Sequence, residues 1–188
     1  MATNKVEFGL SNLYVGTYTD NNGTITMGSP FHQIGAVSLN LESESEENTF
    51  HADNKPFWSG YSDNGFTGTI EVARFDNDFK TEFLGYIQLD DGGIASVKNA
   101  NKPKCYFCFE GSGDAEGRRV IVYDVAFGSI TREFSTIEDS IEPVTESIDF
   151  TATGDNTTGI TVVSYAETDA GYEDLFTNPP APQLPASV

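Results

Sequence analysis

Cations are scarce in this chain. Its 188 residues hold 10 Lys and Arg against 29 Asp and Glu, a formal charge of −19. A surface this acidic repels nucleic acid, heparin-like anions and anionic membranes. Long apolar runs are missing as well, so neither a transmembrane helix nor membrane insertion is expected. The opening MATNKVEFGL lacks an apolar signal segment, and a cytoplasm is the expected place of synthesis. Histidine and cysteine number two each. Cys105 and Cys108 form a CxxC inside PKCYFCFE, but that stretch reads as a strand. Residues three apart on a strand point to opposite faces, so the pair cannot share a metal or form a disulfide without distortion. His32 and His51 are isolated. No metal and no other cofactor is expected. Nucleophile-elbow, HExxH, P-loop and kinase patterns are all absent, and no enzymatic activity is expected.

What the chain does have is alternation. Val37, Leu39 and Leu41 fall on one face of the stretch 35–47, and Ala36, Ser38, Asn40, Glu42, Glu44 and Glu46 fall on the other. The second half of that stretch is polar on both faces, so it is either a solvated hairpin arm or part of a contact with another subunit. In 66–75, Phe66, Ile70 and Val72 oppose Thr67, Thr69 and Glu71. In 141–153, Ile148, Phe150 and Ala152 oppose Ser147, Asp149 and Thr151. One helix is expected, over 76–84. Asp76 is its N-cap, Phe79, Phe83 and Leu84 form its apolar stripe, and Gly85 closes it in the left-handed conformation. GSGDAEG, 111–117, precedes a strand rather than a helix, so it reads as a hairpin tip and not a phosphate cradle. The predicted fold is mainly β: an antiparallel β-sandwich or barrel flanked by one short α-helix. Residues 1–177 form the domain. The Pro-rich 178–188 cannot enter a sheet interior and is read as a linker or extended arm.

Two regions stand apart. Residues 48–64 read as a long connection rich in aromatics: Phe50, Phe57, Trp58 and Tyr61. Disordered segments are poor in aromatics, so this one is expected either to fold back as a lid or to anchor a partner. Five of the ten cations, Lys98, Lys102, Lys104, Arg118 and Arg119, fall within one short region, read as a mildly basic end.

Several segments, in this order, carry a family likeness: MATNKVEFGLSNLYV, GAVSLNLE, FHADNKPFWSGYSDNGFTGTIEVA, DNDFKTEFLG and EPVTESIDFTAT. Together they resemble the major tail protein of long non-contractile-tailed phages, of the type common in phages of Gram-positive bacteria. The resemblance implies a virion tail-tube subunit. Such subunits form rings, usually hexameric, that stack around a tape-measure protein and meet tail terminator and distal tail proteins. Double-stranded DNA passes through the lumen without specific binding. On that reading Ser38, Asn40, Glu42, Thr69, Glu71 and Asp149 line the lumen. Phe50, Phe57, Trp58 and Tyr61 make subunit or ring contacts, and the five clustered cations meet an acidic neighbour. The alternative is a monomeric carbohydrate-binding β-sandwich, with Phe57, Trp58 and Tyr61 as its sugar-stacking platform.

Overall fold

The computed structural model describes residues 9–111, 117–134, 136 and 143–185. Its strands in chain order are β1 (Ser11–Asn21), β2 (Thr24–Met27), β3 (Phe31–His32), β4 (Ala36–Ala52) and β5 (Lys55–Val72). The helix α1 (Asn77–Leu84) follows. Then come β6 (Ile87–Gln88), β7 (Ile94–Ala95), β8 (Cys105–Glu110), β9 (Arg119–Arg132), β10 (Glu146–Ala152), β11 (Val162–Tyr165) and a 3-10 turn, Glu173–Phe176. The fold is mainly antiparallel β with one short helix, as the alternation predicts. Most of residues 111–117, together with 141–142, lie outside the described residues.

A single nine-stranded sheet builds the two layers. Its order is β2-β1-β8-β9-β10-β5-β4, with β3 added to β1 and β11 added to β9. Strand β9 is the pivot. Along one edge it pairs with β8 over 119–125; along the other it pairs first with β11 and then, from Val125 on, with β10. At the changeover Asp124 adopts φ 50, and the ladder shifts by one residue against β8. Such a bulge bends and twists its strand. The Asp124 carboxylate is held there by Lys104 Nζ at 2.8 Å and by the Thr153 hydroxyl at 2.6 Å.

Beyond the bend, β5 and β10 face β1 and β8 across the main core, in which Leu13, Val15, Ile70, Val72, Phe107 and Phe150 are buried together. Helix α1 closes this core. Phe79 stacks on Phe75 at 4.8 Å and meets Phe127 at 5.9 Å, while Phe83 meets Phe31 edge-on at 6.1 Å. Each buried Phe contributes about 1.5–3 kcal/mol, which holds a helix too short to persist alone. Gly85 ends α1 at φ 66, ψ 29, as expected. Asp76 occupies the N-cap position, but its side chain makes no capping hydrogen bond.

A second cluster covers the outer face of β1, β8 and β9: Tyr18, Tyr106, Cys108, Ile121, Tyr123 and Leu175. Cys105 belongs to the main core and Cys108 to this one, so the strand period separates them as the spacing implies. Burial pushes the Cys105 thiol up to about 12. The Pro-rich segment starts as a docked strap. Pro179 and Pro182 are buried, and the Pro180 carbonyl accepts the Tyr123 hydroxyl at 2.9 Å.

Three expectations need correction. Residues 48–64 are not an irregular connection. They are the distal half of a β4–β5 hairpin paired as far as Ala52↔Lys55. Val37 does not face the core: it is 52% exposed, because the ladder runs from Ala36↔Val72 straight to Ser38↔Glu71 and leaves Val37 bulged out. Ala36, expected on the outer face, packs on the core instead.

Candidate assembly surfaces

The sheet beyond the β9 bend has one core face and one open face. Register places Ser38 opposite Glu71, Asn40 opposite Thr69 and Glu42 opposite Thr67. On the other side of β5, Ser147, Asp149 and Thr151 oppose the same three residues. These nine side chains therefore share one surface, and none of them is basic. Ser38 donates to Glu71 at 2.9 Å, Thr69 to Asp149 at 2.8 Å, and Asn40 to Glu42 at 2.8 Å. Hydroxyls of Thr145 and Ser38 hold the Glu71 carboxyl below its usual range, so it stays ionised. The six residues singled out in the sequence thus lie together on this face.

The hairpin then leaves the body. Between Ser43↔Phe66 and Ser45↔Asp63 the ladder gains one residue on β5, and Gly65 sits there at φ 98. A Cβ on Gly65 would lie 2.2 Å from the Ala152 carbonyl oxygen, so only glycine fits. No residue from 42 to 64 is buried. Phe50, Phe57, Trp58 and Tyr61 are 61, 77, 57 and 76% exposed. Trp58 lies opposite Phe50 and folds over Gly60. Tyr61 is three residues further along an unbroken ladder, so it points to the other face. Phe57 sits at the register shift next to His51. Phe57, Trp58 and Tyr61 therefore do not form one flat platform, and the sugar-stacking arrangement is not assembled.

The five clustered cations do not make one patch either. Lys104 and Arg119 stand at opposite ends of β8, roughly 20 Å apart. Lys104 is paired with Asp124 at 2.8 Å. Arg119 pairs with Glu110 at 3.2 Å, donates to the Tyr172 carbonyl and lies over the Tyr172 ring at 3.9 Å. The Lys102 ammonium donates to the carbonyls of Phe127 and Gly128, and burial lowers its pKa. Lys98 and Arg118 are exposed.

A cationic cleft that sequence reading missed lies at the root of α1. Arg74, Lys80 and Arg132 line a hollow of about 650 Å³ with Asn77, Tyr86 and Ser129. Lys80 is 2% exposed and reaches the buried Glu146 at 3.3 Å; Arg132 reaches the other Glu146 oxygen at 2.9 Å. Glu146 also accepts the Phe75 N–H at 3.0 Å. Burial lowers the Lys80 pKa, Glu146 pulls it back up, and Arg132 and Arg74 push it further down. The members come from positions 74, 80, 132 and 146, and no sequence spacing links them. An acid on the apolar face of β10 was the one available signal, since a buried carboxylate needs a cation.

Comparisons with known proteins bear on this arrangement through fold alone. No family model matches the sequence, and no curated protein does. Among solved structures, a chain of the anti-feeding prophage cap, an AFP tube-terminating cap, superposes with a TM-score of 0.53 at 11% identity. The match covers 88% of this chain and 95% of that one. This chain shares that cap protein's fold. A weaker likeness, TM-score 0.48 at 14% identity over 82% and 88% of the two chains, is to a chain of the PVC sheath-tube complex of an extracellular contractile injection system. Among the described residues, no helix is long and apolar enough to cross a membrane, and no group of side chains is arranged to hold a metal ion.

Proposed function

We propose that this chain is a structural tail-tube subunit of the long non-contractile phage type, with no enzymatic activity. Copies close into rings, expected as hexamers, and the rings stack around a tape-measure protein between a terminator and distal tail proteins. The arm carries this reading. Some twenty residues of paired backbone, exposed on both faces and studded with four aromatics, project from a finished body. A lone two-stranded ribbon is marginal in water, and aromatics are enriched where proteins meet. Such a ribbon makes physical sense once neighbours cover it. The fold shared with a tube-terminating cap chain supports the same reading.

The open polar face supplies the lumen wall. Glu42, Glu71 and Asp149 keep it anionic, so passing DNA finds no cations to grip its phosphates. The wall has two open edges among the described residues, β4 and the 127–132 segment of β9. Pairing one copy's β4 with the next copy's β9 continues the sheet around the ring and removes both edges. Negative-stain microscopy of concentrated protein tests the proposal. Hollow tubes or rings are expected from the full chain, and monomers when 45–63 are replaced by Asn-Gly. A full chain that stays monomeric at every concentration contradicts it.

A further inference from the structure

Resting on the self-assembly reading, we propose that the cationic cleft at the root of α1 is the seat for the acidic arm of a second copy. Subunits then engage head to tail.

The cleft has cations to spare. Arg74, Lys80 and Arg132 are three of the ten in the chain, and Glu146 serves two of them. No described partner engages the Arg74 guanidinium. The three cations face one hollow whose lining carries no carboxylate, so their mutual repulsion is relieved when an acid enters. Its rim is apolar. Phe134 is 81% and Val144 43% exposed, and both line an adjoining hollow of about 300 Å³ that shares Arg74 and Arg132. The bulged-out Val37, 52% exposed, belongs to this same end of the sheet, one residue past the Ala36↔Val72 pair.

The arm offers the complement. Glu44 and Glu46 are two apart on one strand face, roughly 7 Å from each other, and no described partner engages either side chain. Phe50 and Trp58 follow further out and bring apolar surface to the same contact. Within one copy the two features cannot meet. The cleft lies beyond Val72, where β5 ends, and Trp58 lies fourteen residues back along that strand, roughly 40 Å away. Each copy therefore presents one arm and one cleft. A heterologous contact of this kind repeats until it closes as a ring or continues as a stack. Charge pairs at its centre also make assembly salt-sensitive.

A charge swap tests it, read by sedimentation velocity and negative-stain microscopy at fixed salt. Arg74→Glu alone, and Glu44→Lys with Glu46→Lys alone, are each expected to raise the concentration needed for assembly about tenfold or more. All three substitutions in one chain are expected to bring it back towards the wild-type value. Unchanged monomer melting temperatures show that the body still folds. Loss in both variants without rescue overturns the proposal. So does an effect of Arg74→Glu that arm reversal does not share, which points to an acid other than Glu44 and Glu46. If wild type assembles and every variant assembles equally well, this seat is wrong and the tube reading survives. If wild type never assembles, both fall.

Discussion

Residues 66–72 and 55–63 belong to the same strand, pair with the same partner and differ in almost everything else. In 66–72 the alternate side chains Phe66, Ile70 and Val72 sink into a core closed by β1, β8 and α1. In 55–63 the backbone ladder continues, yet no side chain is buried. Between them stands one glycine in a conformation that β-strands do not use. The β4 ladder runs through both halves, but only 66–72 is also paired on its other edge, with β10, and only there are side chains buried. Side-chain composition and an opposing layer decide where a sheet stops being self-sufficient. Here that boundary is Gly65.

Substitutions on either side of it should separate the two halves, and the largest effect is expected in the body. Phe79→Ala empties the centre of the Phe31–Phe75–Phe83–Phe127 cluster and should cost about 3–5 kcal/mol in urea unfolding of the monomer. At the boundary, Gly65→Val meets both the φ 98 backbone and the Ala152 carbonyl. A loss of about 1–3 kcal/mol is expected, together with a re-aimed arm and poor assembly by microscopy. In the arm, Trp58→Ala should change monomer stability by no more than about 0.5 kcal/mol while reducing tube yield. Normal tubes from that variant would remove Trp58 from the contacts. The smallest effect on stability is expected on the polar face. Changing Glu42, Glu71 and Asp149 together to Lys should leave fold and tubes intact but slow genome delivery, most at low salt. Unchanged delivery would place these residues away from the DNA path.

Legibility in the sequence follows the same divide. Ile70 and Val72, and Ile148 and Phe150, could be read because one buried face imposes a period of two. Helix α1 could be read because Phe79, Phe83 and Gly85 are local signals. The arm was legible only in part: the stretch up to 47, polar on both faces, allowed a solvated hairpin arm, but 48–64 carries no polar–apolar period and read as a connection. The turn cue within 48–64 was Asp53-Asn54. Both residues take positive φ, 51 and 58, which is the two-residue hairpin turn that Asn and Asp tolerate. The polar face was visible as residues but not as a surface, because it forms only when β4 and β10 pair on either side of β5, and the β4 register turns on the bulge at Val37. The cleft left a single trace, the acid Glu146 on the apolar face of β10, because Arg74, Lys80, Arg132 and Glu146 meet only through the fold. The five basic neighbours in sequence were scattered for the converse reason: β8 carries its two ends apart.

Hydrogen exchange, residue by residue across a concentration series, tests the division most directly. The account predicts that amides in 45–63 exchange fast in dilute monomer and become protected as the protein assembles, while those of β8, β9 and β10 are slow throughout. An arm as protected in dilute monomer as the body, or one that stays unprotected in assembled tubes, would contradict it.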